Sequence, residues 1–304
     1  MIGEKNSDAA LTPRVGCVYR PQFAPERLAA AAAAADRAGL DELWLWEDCF
    51  LTGGLSTAAI ALANSTRLTV GIGVLPVPMR NVAVTAMEVA TLSRAFPGRL
   101  RVGVGHGVQD WMRQIGEKVD SPLSLLREYL TCLAALLRGD RVSFTSRYLH
   151  LDDVALDWPP TERIELFAGA TGPRTLQLSG ELADGTVIGG GTTPDALRAA
   201  LEHIRVGGGL RPTAAPHAVV AYLPCTTGSD ARARAMAELR HWGLDPADDL
   251  AAYGDAGEIA AAARRWVDAG ADTIVLQPVA DDDIEDFVTF VGAEVQPILH
   301  GATR

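Results

Sequence analysis

The sequence predicts an α/β fold, an eight-stranded parallel (β/α) TIM barrel with short insertions, on two observations. Short runs rich in β-branched residues recur along the chain, each followed by an alanine- and leucine-rich helical stretch. There are eight such pairs, so the 304 residues leave about 38 for each unit, the size expected of a closed eight-fold barrel. An open doubly wound sheet is the alternative, and the count of eight argues against it.

The first four strand candidates are VGCVY (15–19), ELWLWED (42–48), LTVGIGV (68–74) and LRVGVGHG (100–107). The second four are IELFAGA (164–170), GTVIGG (185–190), HAVVAYLPCT (217–226) and ADTIVLQPV (271–279). Between the first two lies PERLAAAAAAADRAGL, where Pro25 suits a first helical turn, alanine has the best helix propensity, and Gly39 closes the segment. NVAVTAMEVATLSRAF stops at Pro97-Gly98, and EIAAAARRWVDAG stops at Gly270. The longest insertion, 139–163, alternates in RVSFTSRYLHL like a hairpin; a second irregular stretch covers 241–254. No linker divides the chain, so residues 13–300 read as one barrel domain behind a flexible tail, 1–12.

Composition narrows the partners. A formal net charge of −11 and a pI near 5.0 oppose nucleic acid or an anionic membrane and favour a small-molecule substrate. The only lysines are Lys5 and Lys118, neither in an apolar run, which opposes Schiff-base chemistry. Cys17, Cys49, Cys132 and Cys225 are scattered, with no zinc or disulfide spacing. With no apolar run of membrane or leader length, a cytoplasmic location is expected.

A barrel of this kind places its ligands at the C-terminal ends of the strands. After the second strand stand Glu47, Asp48 and Cys49. Neighbours on a strand point to opposite faces, so at most one of Glu47 and Asp48 should face the pocket. They read either as a capping acidic pair or as a general acid/base. The fourth strand ends in GVGHGVQDW, where His106 sits between Gly105 and Gly107, suited to proton transfer or ligand contact. It is not a dinucleotide fingerprint, because the third glycine is absent. A metal-dependent hydrolase using His106, Asp48, Asp110 and Glu47 is a further alternative, without the dense histidine spacing such sites show. Two loops, Gly169–Ala170–Thr171–Gly172 before Pro173 and Gly189–Gly190–Gly191–Thr192–Thr193 before Pro194, put glycine ahead of a helix start. That arrangement is either a pair of tight turns or an anion site built from backbone N–H groups.

DELWLWED, RLTVGIGVLPVPMRNVAVTAMEVATLSRAFPGRLRVGVGHG and FAGATGPRTLQLSGELADGTVIGGG together resemble the bacterial luciferase-like monooxygenase superfamily, in particular its branch using the deazaflavin coenzyme F-420 (F420). The resemblance covers most of 15–295. It implies a cis peptide at Gly73-Val74 behind the cofactor ring, Gly105 to Val108 flanking that ring, and the two glycine loops holding the phosphate-bearing tail. It also implies hydride transfer between reduced deazaflavin and a C=C, C=N or C=O bond. The substrate is then expected near Asp48, Cys49, His106, Gln109 and Trp111, with Asp48, His106 or Glu47 as proton donor. Sugar-phosphate-oxidising members carry Asp-His after the second strand and Glu after the fourth-strand Gly-x-Gly, where this chain has Asp48-Cys49 and Val108. Some members have a lysine where this chain has Thr192. An FMN-dependent monooxygenase and a non-catalytic flavin-binding barrel are the alternatives on the same fold. The resemblance also admits a homodimer, through apolar segments around Trp44, Leu45 and Met87, and a separate F420 or flavin reductase as cofactor supplier. Gly71, by contrast, reads as a packing glycine at a close strand-to-helix approach.

Overall fold

Eight strands run parallel and close on themselves: β1 (Arg14–Val18), β2 (Glu42–Leu45), β3 (Thr69–Pro76), β4 (Leu100–Gly105), β5 (Leu166–Gly169), β6 (Gly185–Ile188), β7 (Ala218–Thr226) and β8 (Thr273–Pro278). Each pairs with the next, β7 joins both β6 and β8, and β8 returns to β1. The computed structural model describes residues 12–211 and 216–301, so residues 1–11 of the expected tail lie outside the described residues. The 139–163 insertion is a hairpin of Val142–Thr145 against His150–Val154, and Ala252–Tyr253 adds a short strand beside β7.

The helices begin and end where local chemistry dictates. Asn81 accepts from the Ala83 amide at 2.9 Å to open Val82–Ala95. Asp255 and Glu258 form a reciprocal capping box on Ala256–Asp268. Gly39 (φ +76°) and Gly270 (φ +110°) end their helices in the left-handed region, which costs glycine little. Pro173 and Pro194 each take the first helical position, where a missing N–H costs nothing.

Inside the barrel, Val18, Trp44, Phe167, Val187, Val220, Tyr222 and Val275 form their own cluster. Trp44 sits at its centre, edge-on to Phe167 (6.0 Å) and Tyr222 (6.1 Å), with its indole N–H donating to Glu42 at 2.8 Å. This corrects two expectations. Trp44 and Leu45 are buried, so they offer no dimer surface, whereas Met87 on the outer helix is 58% exposed. Gly71 is a packing glycine as expected, but the nearest neighbour it admits is the Trp44 ring in place of a helix: a Cβ would lie 2.6 Å from Trp44 Cε3.

At the other end of the barrel, His217 hydrogen-bonds Thr186 Oγ1 at 2.8 Å. Burial, then the Arg211 charge, pull its pKa down to about 4. The folded state therefore resists a proton that the unfolded chain accepts below about pH 6.5. Stability from this group is complete above that pH and is lost as pH falls toward 4, by on the order of 2 kcal/mol. Urea unfolding at pH 7.5 and 5.0 should show a smaller acid loss for His217→Gln than for wild type. Equal losses would remove His217 as the cause.

Candidate active site

β3 departs from regular pairing at Gly73 and Val74. Ile72 lies opposite Val102 and Leu75 opposite Val104, so two residues of β3 face one of β4. The Gly73-Val74 peptide is cis, as the resemblance implies, and the Cys49-Phe50 peptide, which nothing in the sequence singled out, is cis too. The bulge turns Val74 toward β4 and β5, where only glycines make room for it. A Cβ on Gly105 would lie 2.7 Å from Val74 Cγ2, and one on Gly169 3.1 Å from Val74 Cγ1.

Val74 thus forms part of a floor to a cavity of about 500 Å³ at the C-terminal ends of the strands. Of the residues expected there, Asp48, Gly73, Val74, Gly105, His106, Gly107, Ala170, Thr171, Gly189 and Gly190 line it. Glu47, Cys49, Val108, Gln109, Trp111, Gly172 and Gly191 do not. Glu47 turns away to a bidentate pair with Arg80, at 2.7 and 3.0 Å, tying the loop after β2 to the loop after β3. Both of its oxygens are engaged there, away from the cavity. Cys49 Sγ lies 3.3 Å from Met79 Sδ. Gln109 Nε2 folds back to donate to the His106 and Gly107 carbonyls at 3.2 and 3.4 Å, and Val108 begins the next helix with its side chain exposed. Gly172 caps the helix Pro173–Leu182, and Gly191 (φ +88°) abuts Leu244.

Asp48 is the one carboxylic acid on the wall among the described residues. Its Oδ2 accepts from Trp46 Nε1 at 2.7 Å. Burial lifts its pKa above the usual carboxylate range, against the pull of hydrogen bonds from Trp46 and Gln22. His106 reaches across to Thr175 Oγ1 at 3.1 Å, and burial lowers its pKa, so the ring is neutral near pH 7. No lysine or arginine lines the cavity among the described residues. The remaining wall is largely apolar: Gly169 of the first glycine loop, and Trp46, Thr175, Val187, Tyr222, Pro224, Trp242, Leu244 and Gln277, which sequence reasoning missed. Strand parity would have found part of it, since Tyr222 and Pro224 lie two apart on β7. Tyr222 is buried, 6.2 Å from the Trp46 ring, with its hydroxyl donating to the Gly73 carbonyl at 3.4 Å.

The sequence model of luciferase-like monooxygenases matches residues 7–296. The chain belongs to the luciferase-like monooxygenase family. Among curated relatives, a 5,10-methylenetetrahydromethanopterin reductase of Methanolobus tindarius is 25% identical over 63% of this chain and 58% of its own length. An F420-dependent glucose-6-phosphate dehydrogenase of Nakamurella multipartita is 28% identical over 57% of this chain and 55% of its own length. The chain thus spans little more than half of these two relatives. A glucose-6-phosphate dehydrogenase of the same F420-dependent kind, from Kineococcus radiotolerans, is 27% identical over 91% of this chain and 94% of its own length. Among solved structures, the coenzyme F420 dependent tetrahydromethanopterin reductase of Methanopyrus kandleri superposes with a TM-score of 0.81 at 18% identity, covering 94% of this chain and 99% of that one. An F420-dependent secondary alcohol dehydrogenase, in complex with an F420-acetone adduct, gives 0.82 at 19%, covering 93% and 98%. At such identities the two structures show a shared fold alone.

Proposed function

We propose that this luciferase-like protein is an F420-dependent oxidoreductase that delivers a hydride to an unsaturated bond (C=C, C=N or C=O) of an uncharged small molecule. The observation that carries the proposal is the cavity floor, where Val74 lies between Gly105 and Gly169 with the raised carboxyl of Asp48 on the same wall. Val74 and the glycines beside it accept a flat ring closely. The loops at Ala170–Thr171 and Gly189–Gly190 have room for an anionic tail: a Cβ at Gly189 would meet nothing within 4 Å. Backbone N–H groups at two helix starts neutralise such a tail without a cationic side chain. The deazaflavin, when bound, supplies the hydride chemistry. Asp48 holds the proton that completes the reduction, and Trp46 fixes its carboxyl in place. His106, neutral and tied to Thr175, borders the ring site. Tyr222 and Trp46 exclude water from the floor.

Titration of the protein with oxidised F420 and with FMN, followed by absorbance, tests the cofactor. Saturable F420 binding at least tenfold tighter than FMN is expected, with no oxygen uptake during turnover. FMN binding with oxygen consumption would establish a flavin monooxygenase in its place.

The wall also bears on substrate charge. With the two helix starts taken by the coenzyme's tail, a second, dianionic phosphomonoester would need arginine or lysine, and this wall carries none among the described residues. Glucose 6-phosphate should therefore leave F420 oxidised, whatever its concentration up to the millimolar range. Reduction of F420 by that sugar would overturn the uncharged-substrate reading while leaving the cofactor assignment intact.

A further inference from the structure

We infer that Arg20 and Glu238 form a buried clamp that holds the Trp242 indole as a fixed wall of the cavity. Trp242 is then the residue that sets ligand fit, and Arg20 and Glu238 are positioning residues. The inference rests on this cavity being the ligand site.

Trp242 follows the helix Ala231–His241, lines the cavity and is 41% exposed. An aromatic side chain so exposed at a helix end would ordinarily exchange rotamers freely. Here its Nε1–H donates to Glu238 Oε1 at 2.7 Å. The same oxygen pairs with Arg20 Nη1 at 2.8 Å, and the Arg20 guanidinium carbon lies 5.7 Å from the Trp242 ring centre. Arg20 and Glu238 are only 2% and 5% exposed.

A buried ion pair is weak evidence for stability, because desolvation consumes most of its Coulomb gain. This one is aimed. Arg20 leaves β1, and its Nη1 also donates to the Pro278 carbonyl at the end of β8 at 3.0 Å. The Ala280 amide donates to Glu238 Oε2 at 3.4 Å. The carboxylate receiving the indole N–H is thereby referenced to the barrel rim, not merely to its own helix. Two residues on, Leu244 closes against Gly191 in the loop after β6, where a Cβ would lie 2.9 Å from Leu244 Cδ1. The segment carrying Trp242 is therefore seated at both ends, and the indole cannot swing out to enlarge the cavity.

The test uses the full chain. Near-ultraviolet circular dichroism of wild type minus Trp242→Phe isolates the signal of a fixed Trp242. Glu238→Gln alone strands a buried arginine and can fail to fold. The paired variant Arg20→Met/Glu238→Leu removes both charges at similar volume, a kind of exchange that buried pairs tolerate. In that variant the Trp242 signal should vanish with little change in Tm. Its Kd for F420 should rise about fivefold or more, as should that of Trp242→Phe, and the triple variant should add less than about twofold because the three act as one unit. Retention of the Trp242 signal, an unchanged Kd, or fully multiplicative effects would each overturn the clamp. If wild type binds no F420, the proposed cofactor fails, and the dichroism comparison alone decides the clamp: loss of the signal supports it and retention overturns it.

Discussion

Asp48→Asn should lower kcat/KM by about 10²–10³-fold, within the roughly 10²–10⁴-fold that a positioned proton donor supplies, while the Kd for F420 stays within about threefold. Asparagine keeps the size and the acceptor for the Trp46 N–H, which Asp48 receives at 2.7 Å, but has no acidic proton to transfer. The pH dependence follows from the direction of the shift. Burial raises the Asp48 pKa, so the proton-carrying form persists above the usual carboxylate range. In the reductive direction, activity should be highest on the acid side and fall as pH rises through that elevated pKa. The asparagine variant should lack this limb. An Asp48→Asn enzyme retaining more than about a tenth of wild-type kcat/KM, with the wild-type pH profile, would assign the proton elsewhere; His106 is the titratable base on the same wall.

Gly71→Ala should cost about 2–3 kcal/mol of folding stability, the upper part of the range for overpacking a rigid core. The added methyl would lie 2.6 Å from Trp44 Cε3, and the indole has nowhere to retreat. Its other edge lies 3.0 Å from where a Cβ on Gly16 would be, Phe167 and Tyr222 flank it, and its N–H is committed to Glu42. Chemical denaturation measures the loss. Trp44→Phe should recover part of it in the double variant, because the smaller ring vacates the contested volume. Gly189→Ala, with nothing within 4 Å, is the control and should stay within about 0.5 kcal/mol of wild type. A Gly71→Ala protein as stable as this control would mean that Trp44 does not fill the space beside β3.

Much of the barrel was legible because its signals are local. Eight short apolar runs, most of them β-branched, mark eight strands, and Pro25, Pro173, Gly39 and Gly270 mark helix ends through φ preferences that operate within a few residues. The two glycine loops were visible for the same reason. Asp48 was visible too, although only as one of a pair with Glu47.

What separated that pair is a contact 33 residues away. Arg80 takes Glu47 in a bidentate grip and leaves Asp48 as the acid on the cavity wall. No spacing rule reports such a partner, since it depends on which loops meet above a closed ring of strands. Tyr222, Gln277 and Trp242 became wall residues in the same way, through barrel closure and side-chain direction. Gly71 shows the division most plainly. Its sequence position announced that something must come close, because a strand interior gains nothing from a missing side chain. That the neighbour is the Trp44 indole inside the barrel, and not a helix outside it, was decided by the tertiary structure. By itself, the sequence determined element type, element ends and the loops free of side chains, all governed by backbone preferences within a few residues. Only the tertiary structure decided which acid faces the cavity, what fills the barrel and what walls the site, because each of these is an excluded-volume or ion-pair contact between residues distant in the chain.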